Sequence, residues 1–127
     1  MKHSLNHPSQ RQLRVGEQIR HIVASTLQRG HFQSEDLMDS GSIMITEVRV
    51  SPDLKKATAF VMTVGDKDLA QVLESLNEDH NIFQKEINKQ TKLKFTPVIH
   101  FEADTSFDEA EKIENIISSL HYADDNS

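Results

Sequence analysis

From Arg11 to about Arg29 the apolar residues Val15, Ile19, Ile22, Val23 and Leu27 recur at the three-and-four spacing that lays one stripe along a helix, and Gly30 closes the run. A polar, acidic loop is expected over Phe32 to Ser42. Ile43 to Val50 then switches to alternation, with Met44, Thr46, Val48 and Val50 on one side and Ile43, Ile45, Glu47 and Arg49 on the other. Ser51, Pro52 and Asp53 end this strand, and Ala57 to Val64 supplies an antiparallel partner whose Phe60, Met62 and Val64 share a face. Asp66 is placed to cap the next helix, whose stripe is Leu69, Val72, Leu73 and Leu76. The helical pattern resumes at Phe83 and Ile87, but between the two stripes stand Asn77, Glu78, Asp79, His80 and Asn81, residues that favour caps and turns. A helix, a kink and a second helix are therefore expected. Pro97 opens a last strand, Val98 to Ala103, with Ile99, Phe101 and Ala103 on one face. Ser106 and Glu109 form a capping box for a final helix carrying Phe107, Ala110, Ile113, Ile116, Ile117 and Leu120.

The order helix, strand, strand, helix, helix, strand, helix predicts an α+β domain in which a three-stranded sheet is covered by helices on one face. Residues 1–10 and 121–127 are polar and aperiodic and read as tails, which leaves residues 11–120 as one domain.

Composition narrows the function classes. No apolar run approaches the roughly 18 residues of a membrane helix, the first ten residues lack a secretory core, and a cytoplasmic protein is expected. Without cysteine there is no disulfide framework, thiolate metal site or thiol nucleophile. The net charge of -6 argues against a nucleic-acid partner until its distribution is considered. Residues 1–65 carry eight Lys/Arg against six Asp/Glu, and residues 66–127 carry six against fourteen. Within that acidic half, the window 85–94 holds four lysines and only Glu86, so a basic face on an acidic body is expected there.

Catalytic motifs are lacking: no Gly-rich phosphate loop, no G-x-S-x-G elbow and no H-E-x-x-H. His100 and Glu102 point the same way on a strand, a spacing that an exposed strand face explains as well as an acid/base pair does. His3 and His7 lie four apart without a further ligand, so no metal is expected there. Arg11, Arg14 and His21 line the polar side of the first helix, a solvated face or an RNA contact. The lysines at 85, 89 and 92 recur at i, i+4, i+7 beside the kink. A bent helix pair followed by a sheet strand is the arrangement in which KH-type modules clamp a nucleic-acid backbone.

Four segments together resemble the ribosome-binding factor A family: Arg14 to Ile19; Thr46 to Leu54; Ser75 to Ile87 across the joint; and Leu93 to Ser106. The resemblance implies a type II KH-like fold, α-β-β-α-kink-α-β plus a C-terminal helix, in which a kink replaces the glycine-rich clamp loop. It also implies a factor without catalysis and without a cofactor; a monomer with no membrane association is expected. Such a factor binds the free 30S ribosomal subunit around 16S ribosomal RNA, assists maturation of the 5′ end region and matters in the cold. Carried onto this chain, the RNA-facing residues are Asp79, His80 and Asn81 at the kink, Gln84, and Lys85, Lys89, Lys92 and Lys94, with Arg49, Lys55 and Lys56 extending them from the hairpin. The chain departs from the family pattern at the kink, where small residues and a glycine are common, and has Glu78 and Gln84 where a basic residue is common. Asn81 in a left-handed backbone is expected to keep the bend. Either Glu78 and Asp79 turn away from phosphate or the contact shifts toward the lysines. The alternative function is a protein-interaction module using the acidic final helix and the sheet.

Overall fold

In the computed structural model, residues 7–30, 32, 37, 40–65 and 67–106 are described. The first helix, α1 (Gln10–Arg29), starts one residue before the apolar pattern does, because Ser9 caps it. The Ser9 hydroxyl accepts from the Gln12 amide at 3.1 Å, and the Gln12 side chain accepts from the Ser9 amide at 2.9 Å. The same Gln12 side chain donates to the Val50 carbonyl at 2.9 Å, so one residue both starts the helix and ties it to the sheet. A Cβ on Gly16 would stand 2.5 Å from the Val48 carbonyl oxygen, which is why the Arg14 to Ile19 segment needs a glycine where helix and strand touch.

The sheet has the order β1 (Ile43–Val50), β2 (Lys56–Thr63), β3 (Val98–Ala103), with β1 antiparallel and β3 parallel to β2. Between β2 and β3 run α2 (Leu69–Glu78) and α3 (His80–Gln90). This is the expected type II KH-like order with its three-stranded sheet. The final helix, its capping partner Glu109 and the 121–127 tail lie outside the described residues, as do residues 1–6 and Asp66.

One expectation about the strand faces is corrected. Strict alternation in β1 separated Ile43 and Ile45 from Val48 and Val50, yet all four are buried. The pairing shifts between Ile45 and Glu47, and this bulge leaves Thr46 as an extra residue that turns the rest of the strand over. In β2, Phe60 and Met62 do share a face, and the core face is the other one, Ala57, Ala59 and Val61. Small side chains on the central strand leave room for helices, and the bulky pair lies on the other side of the sheet. Ile99 and Phe101 of β3 face the core as expected.

That core joins Ile19, Val23 and Leu27 of α1, Val72 and Leu76 of α2, and Phe83 and Ile87 of α3. Phe83 is at its centre, stacked on Phe32 at 5.5 Å and edge-on to Phe101 at 5.0 Å between ring centroids. Phe32 and Leu37 are buried, so the segment read as a polar loop sends two apolar anchors inward. The cap of α2 is Asp68, whose carboxylate accepts from the Ala70 and Gln71 amides, rather than Asp66. Ser106, expected as a cap, is already helical, and Asp104 accepts from its amide at 2.9 Å.

Candidate nucleic-acid interface

The site is built on a strand edge. Residues 98, 100 and 102 of β3 bond toward β2, which leaves the amides of Ile99 and Phe101 and the carbonyls of Pro97 and Phe101 on the outer edge. An unpaired edge invites another strand. Here two side-chain amides close it. Asn77, near the end of α2, donates to the Phe101 carbonyl at 3.1 Å and accepts from its amide at 3.0 Å. Gln84 of α3 donates to the Pro97 carbonyl at 2.9 Å and accepts from the Ile99 amide at 2.8 Å. Each carboxamide imitates a neighbouring strand, and between them the kink is held against the edge.

The kink itself is the single residue Asp79, at φ -96° and ψ 17°. Leu54 is the one non-glycine residue with positive φ among the described residues, so Asn81 does not keep the bend through a left-handed backbone. The bend is kept by the flanking amides and by His80, whose Nδ1 lies 2.8 Å from the Asn77 carbonyl and donates to it. His80 and Asp79 are half-buried; Glu78 and Asn81 are exposed.

Beyond the kink, Phe83 and Ile87 take the inward face of α3, which turns Lys85 and Lys89 outward, with Asn81 and the partly exposed Ile82 on the same side. The expected three-lysine helical row is cut short. The helix ends at Gln90, Thr91 is extended (φ -104°, ψ 150°), and Lys92 lies on the connecting segment.

That segment brings a second group of cations together. Leu93 packs on the core and Pro97 is buried, while Lys92, Lys94 and Phe95 are exposed. The Val98 amide donates to the Lys55 carbonyl at 2.9 Å, and Lys56 pairs with Val98, so the hairpin turn meets the start of β3. The turn is fixed by the Ser51 hydroxyl, which accepts from the Lys55 and Lys56 amides, and by Asp53, which accepts from the Ser51 hydroxyl and the Lys55 amide. Those bonds hold the Asp53 carboxyl below its ordinary range. Leu54 takes φ 61° in this turn, a strained conformation that its packing on the core offsets. Lys55, Lys56, Lys85, Lys89, Lys92 and Lys94 form no ion pair with any described residue.

Arg49 differs. Its Nε lies 2.7 Å from a Glu47 oxygen, and its guanidinium carbon stands 5.5 Å from the Phe60 ring centre, on the sheet face away from the helices. Glu47 raises its pKa through that hydrogen bond. His100 and Glu102 sit 3.2 Å apart on the exposed side of β3, as their spacing suggested. A cleft of about 580 Å³ lies between α1 and β1, lined by His7, Pro8, Gln12, Leu13, Arg49 and Val50 among others. Among the described residues there is no cluster able to hold a metal and no helix long and apolar enough to cross a membrane.

The sequence pattern of the family described as Ribosome-binding factor A matches residues 11–117. Ribosome-binding factor A of Paramagnetospirillum magneticum is 45% identical over 112 residues, covering 88% of this chain and 78% of that protein. A candidate ribosome binding factor A of Thermotoga maritima, solved by NMR, shares the fold at a TM-score of 0.67 and 22% identity, over 80% of this chain and 93% of that one. So does a homology model of the Thermus thermophilus factor fitted into a cryo-EM map of its complex with 30S, at a TM-score of 0.54 and 13% identity, over 71% and 91% of the two chains.

Proposed function

Because the chain belongs to the ribosome-binding factor A family, we propose that it binds the free 30S subunit in the cytoplasm and holds 16S ribosomal RNA beside its bent helix pair, assisting maturation of the 5′ end region. The observation that carries this reading is the pairing of a rigid scaffold with unpaired cations. Two amides fasten α2 and α3 to β3, and six lysines, Lys55, Lys56, Lys85, Lys89, Lys92 and Lys94, stand outward without ion-pair partners among the described residues. Ammonium groups on a rigid surface meet phosphates without first breaking internal pairs.

The acidic departure at the kink is accommodated in this reading. Glu78 and Asp79 sit at the bend, whereas Lys85 and Lys89 lie one to three turns further along, so phosphate contact moves down α3 and round to the segment after it. Gln84 and His80 act as fasteners of the surface rather than as contacts, since the Gln84 amide and the His80 Nδ1 already have backbone partners. The factor performs no bond chemistry; it stabilises one arrangement of RNA and leaves. A support of that kind matters most in the cold, where misfolded RNA escapes slowly.

The test is sedimentation of the chain with purified 30S, 50S and 70S particles at low and high salt, beside the variant Lys85→Ala, Lys89→Ala, Lys92→Ala, Lys94→Ala. The expected result is salt-sensitive binding to 30S that the variant loses while its melting stays unchanged. Undiminished co-sedimentation of the variant, insensitive to salt, would transfer the reading to a protein-interaction module.

A further inference from the structure

The corner where the hairpin turn meets the α3–β3 segment holds an aromatic ring that the interface described above does not use. Phe95 is 70% exposed and Val98, three residues on, is 60% exposed. A scattered surface hydrophobe is ordinary. This one has lysines beside it in the chain and in the hairpin turn that meets its segment. Lys92 and Lys94 precede it in the chain, and the Lys94 ammonium lies 5.6 Å from the ring centre. The backbone of Lys55 and Lys56 meets Val98, three residues after the ring, through the Val98 to Lys55 hydrogen bond and the Lys56 to Val98 pairing. The acidic residue in this turn, Asp53, is committed to the Ser51 hydroxyl and the Lys55 amide.

Phe95 is also held in place. Leu93 on one side packs on the core and Pro97 on the other is buried, so the backbone between two anchors turns the ring outward. A flat apolar face with ammonium groups near it is what single-stranded nucleic acid recognises: the base stacks on the ring and the flanking phosphates meet the cations. We propose that Phe95 is a stacking platform for an unpaired RNA base, with Lys92, Lys94, Lys55 and Lys56 receiving the adjoining phosphates. This rests on the RNA-binding reading above and adds to it a preference for single-stranded over paired RNA at this corner.

The experiment uses the full chain and two fluorescein-labelled 12-nucleotide probes, polyuridylate and an abasic ribose-phosphate strand of the same length, with 30S particles as a third ligand. Phe95→Ala and Phe95→Leu should weaken binding to polyuridylate by at least about fivefold, Phe95→Tyr should retain it, and the slope of log affinity against log salt should stay the same, since no phosphate contact is lost. Binding to the abasic strand should be unaffected by any of them. Wild-type affinity for polyuridylate in Phe95→Ala overturns the platform while leaving RNA binding standing. An equal loss on the abasic strand, or a loss on 30S particles alone, also overturns it, the latter in favour of a protein contact. Failure of the unaltered chain to bind either RNA or 30S would defeat both readings together. Melting curves report whether each variant is folded, and with the ring so exposed they should superimpose.

Discussion

The inward and outward sides of the α2–α3 pair carry polar residues of equal prominence in the sequence and use them in opposite ways. On the inward side Asn77 and Gln84 each make two hydrogen bonds to the backbone of β3, and His80 closes the end of α2. On the outward side Lys85 and Lys89 bond to nothing described. The contrast follows from what each group can satisfy. A neutral carboxamide carries a donor and an acceptor, so it can stand in for a missing strand at a buried edge. An ammonium has donors only, and its charge keeps it in water until an anion arrives. Polar residues at a functional joint thus divide into those that shape the surface and those that present it.

The largest effect should come from the inward side. Asn77→Ala strips the Phe101 amide and carbonyl of their side-chain partner at a residue that is 2% exposed, and should destabilise the fold by about 2–4 kcal/mol in urea unfolding. Asn77→Asp offers an acceptor without the donor and should recover only part of that loss. Gln84→Ala opens the same edge nearer its start, at the Pro97 carbonyl and the Ile99 amide, and should cost about 1–2 kcal/mol. If either variant kept wild-type stability but lost RNA binding, the division of labour drawn between the two sides would be wrong at that residue.

This division explains what could and could not be read from the residues alone. The hairpin, the bent helix pair and the third strand follow from periodicity, and all of them are present. The burial of Ile43 and Ile45 together with Val48 and Val50 could not be reached by alternation, because one extra residue at Thr46 reverses the phase without leaving a mark in the pattern. The lysine row failed at Lys92 for a similar reason: the count of seven assumes a helix, and the helix stops at Gln90. The resemblance places Gln84 on the RNA-facing surface, and nothing in the residues signals its two bonds to the backbone of β3, because backbone edges are invisible in sequence. Asn77 carried the clearest available signal, a carboxamide at the boundary of two helical stripes, yet was read only as a turn former. Phe95 was passed over because a lone aromatic between Lys94 and Pro97 looks the same whether it points in or out.

A smaller effect separates the acid-sensitive part of the fold from the helix pair. Asp104, just past β3, accepts hydrogen bonds from the Ser106 hydroxyl and amide and from the Thr46 hydroxyl. The Ser106 hydroxyl foremost, then that of Thr46, holds its carboxyl below the ordinary carboxylate range. A lowered folded-state pKa means stability that is complete above the unfolded pKa and disappears as pH falls through the folded value. Unfolding midpoints compared at about pH 7 and about pH 2.5 should therefore differ less in Asp104→Asn than in the unaltered chain. Asn77→Ala should leave that difference unchanged, since carboxamides do not titrate. A pH slope that vanished in Asn77→Ala instead would tie the acid response to the edge seal.

The smallest effect on stability belongs to the outward side, and it is the one that bears most directly on function. Lys85 and Lys89 are exposed, four residues apart, and of like charge, so replacing both with alanine removes a mild repulsion and no contact. Stability should stay within about 0.5 kcal/mol of the unaltered chain. Binding to single-stranded RNA should nevertheless weaken, and its salt dependence should flatten by about 1.4 in the log–log slope, at about 0.7 for each phosphate released. An unchanged slope with unchanged affinity would leave α3 out of the interface and concentrate it at the corner around Phe95. A fallen slope with intact folding would mean that one helix carries its scaffold function and its binding function on opposite faces, each removable without the other.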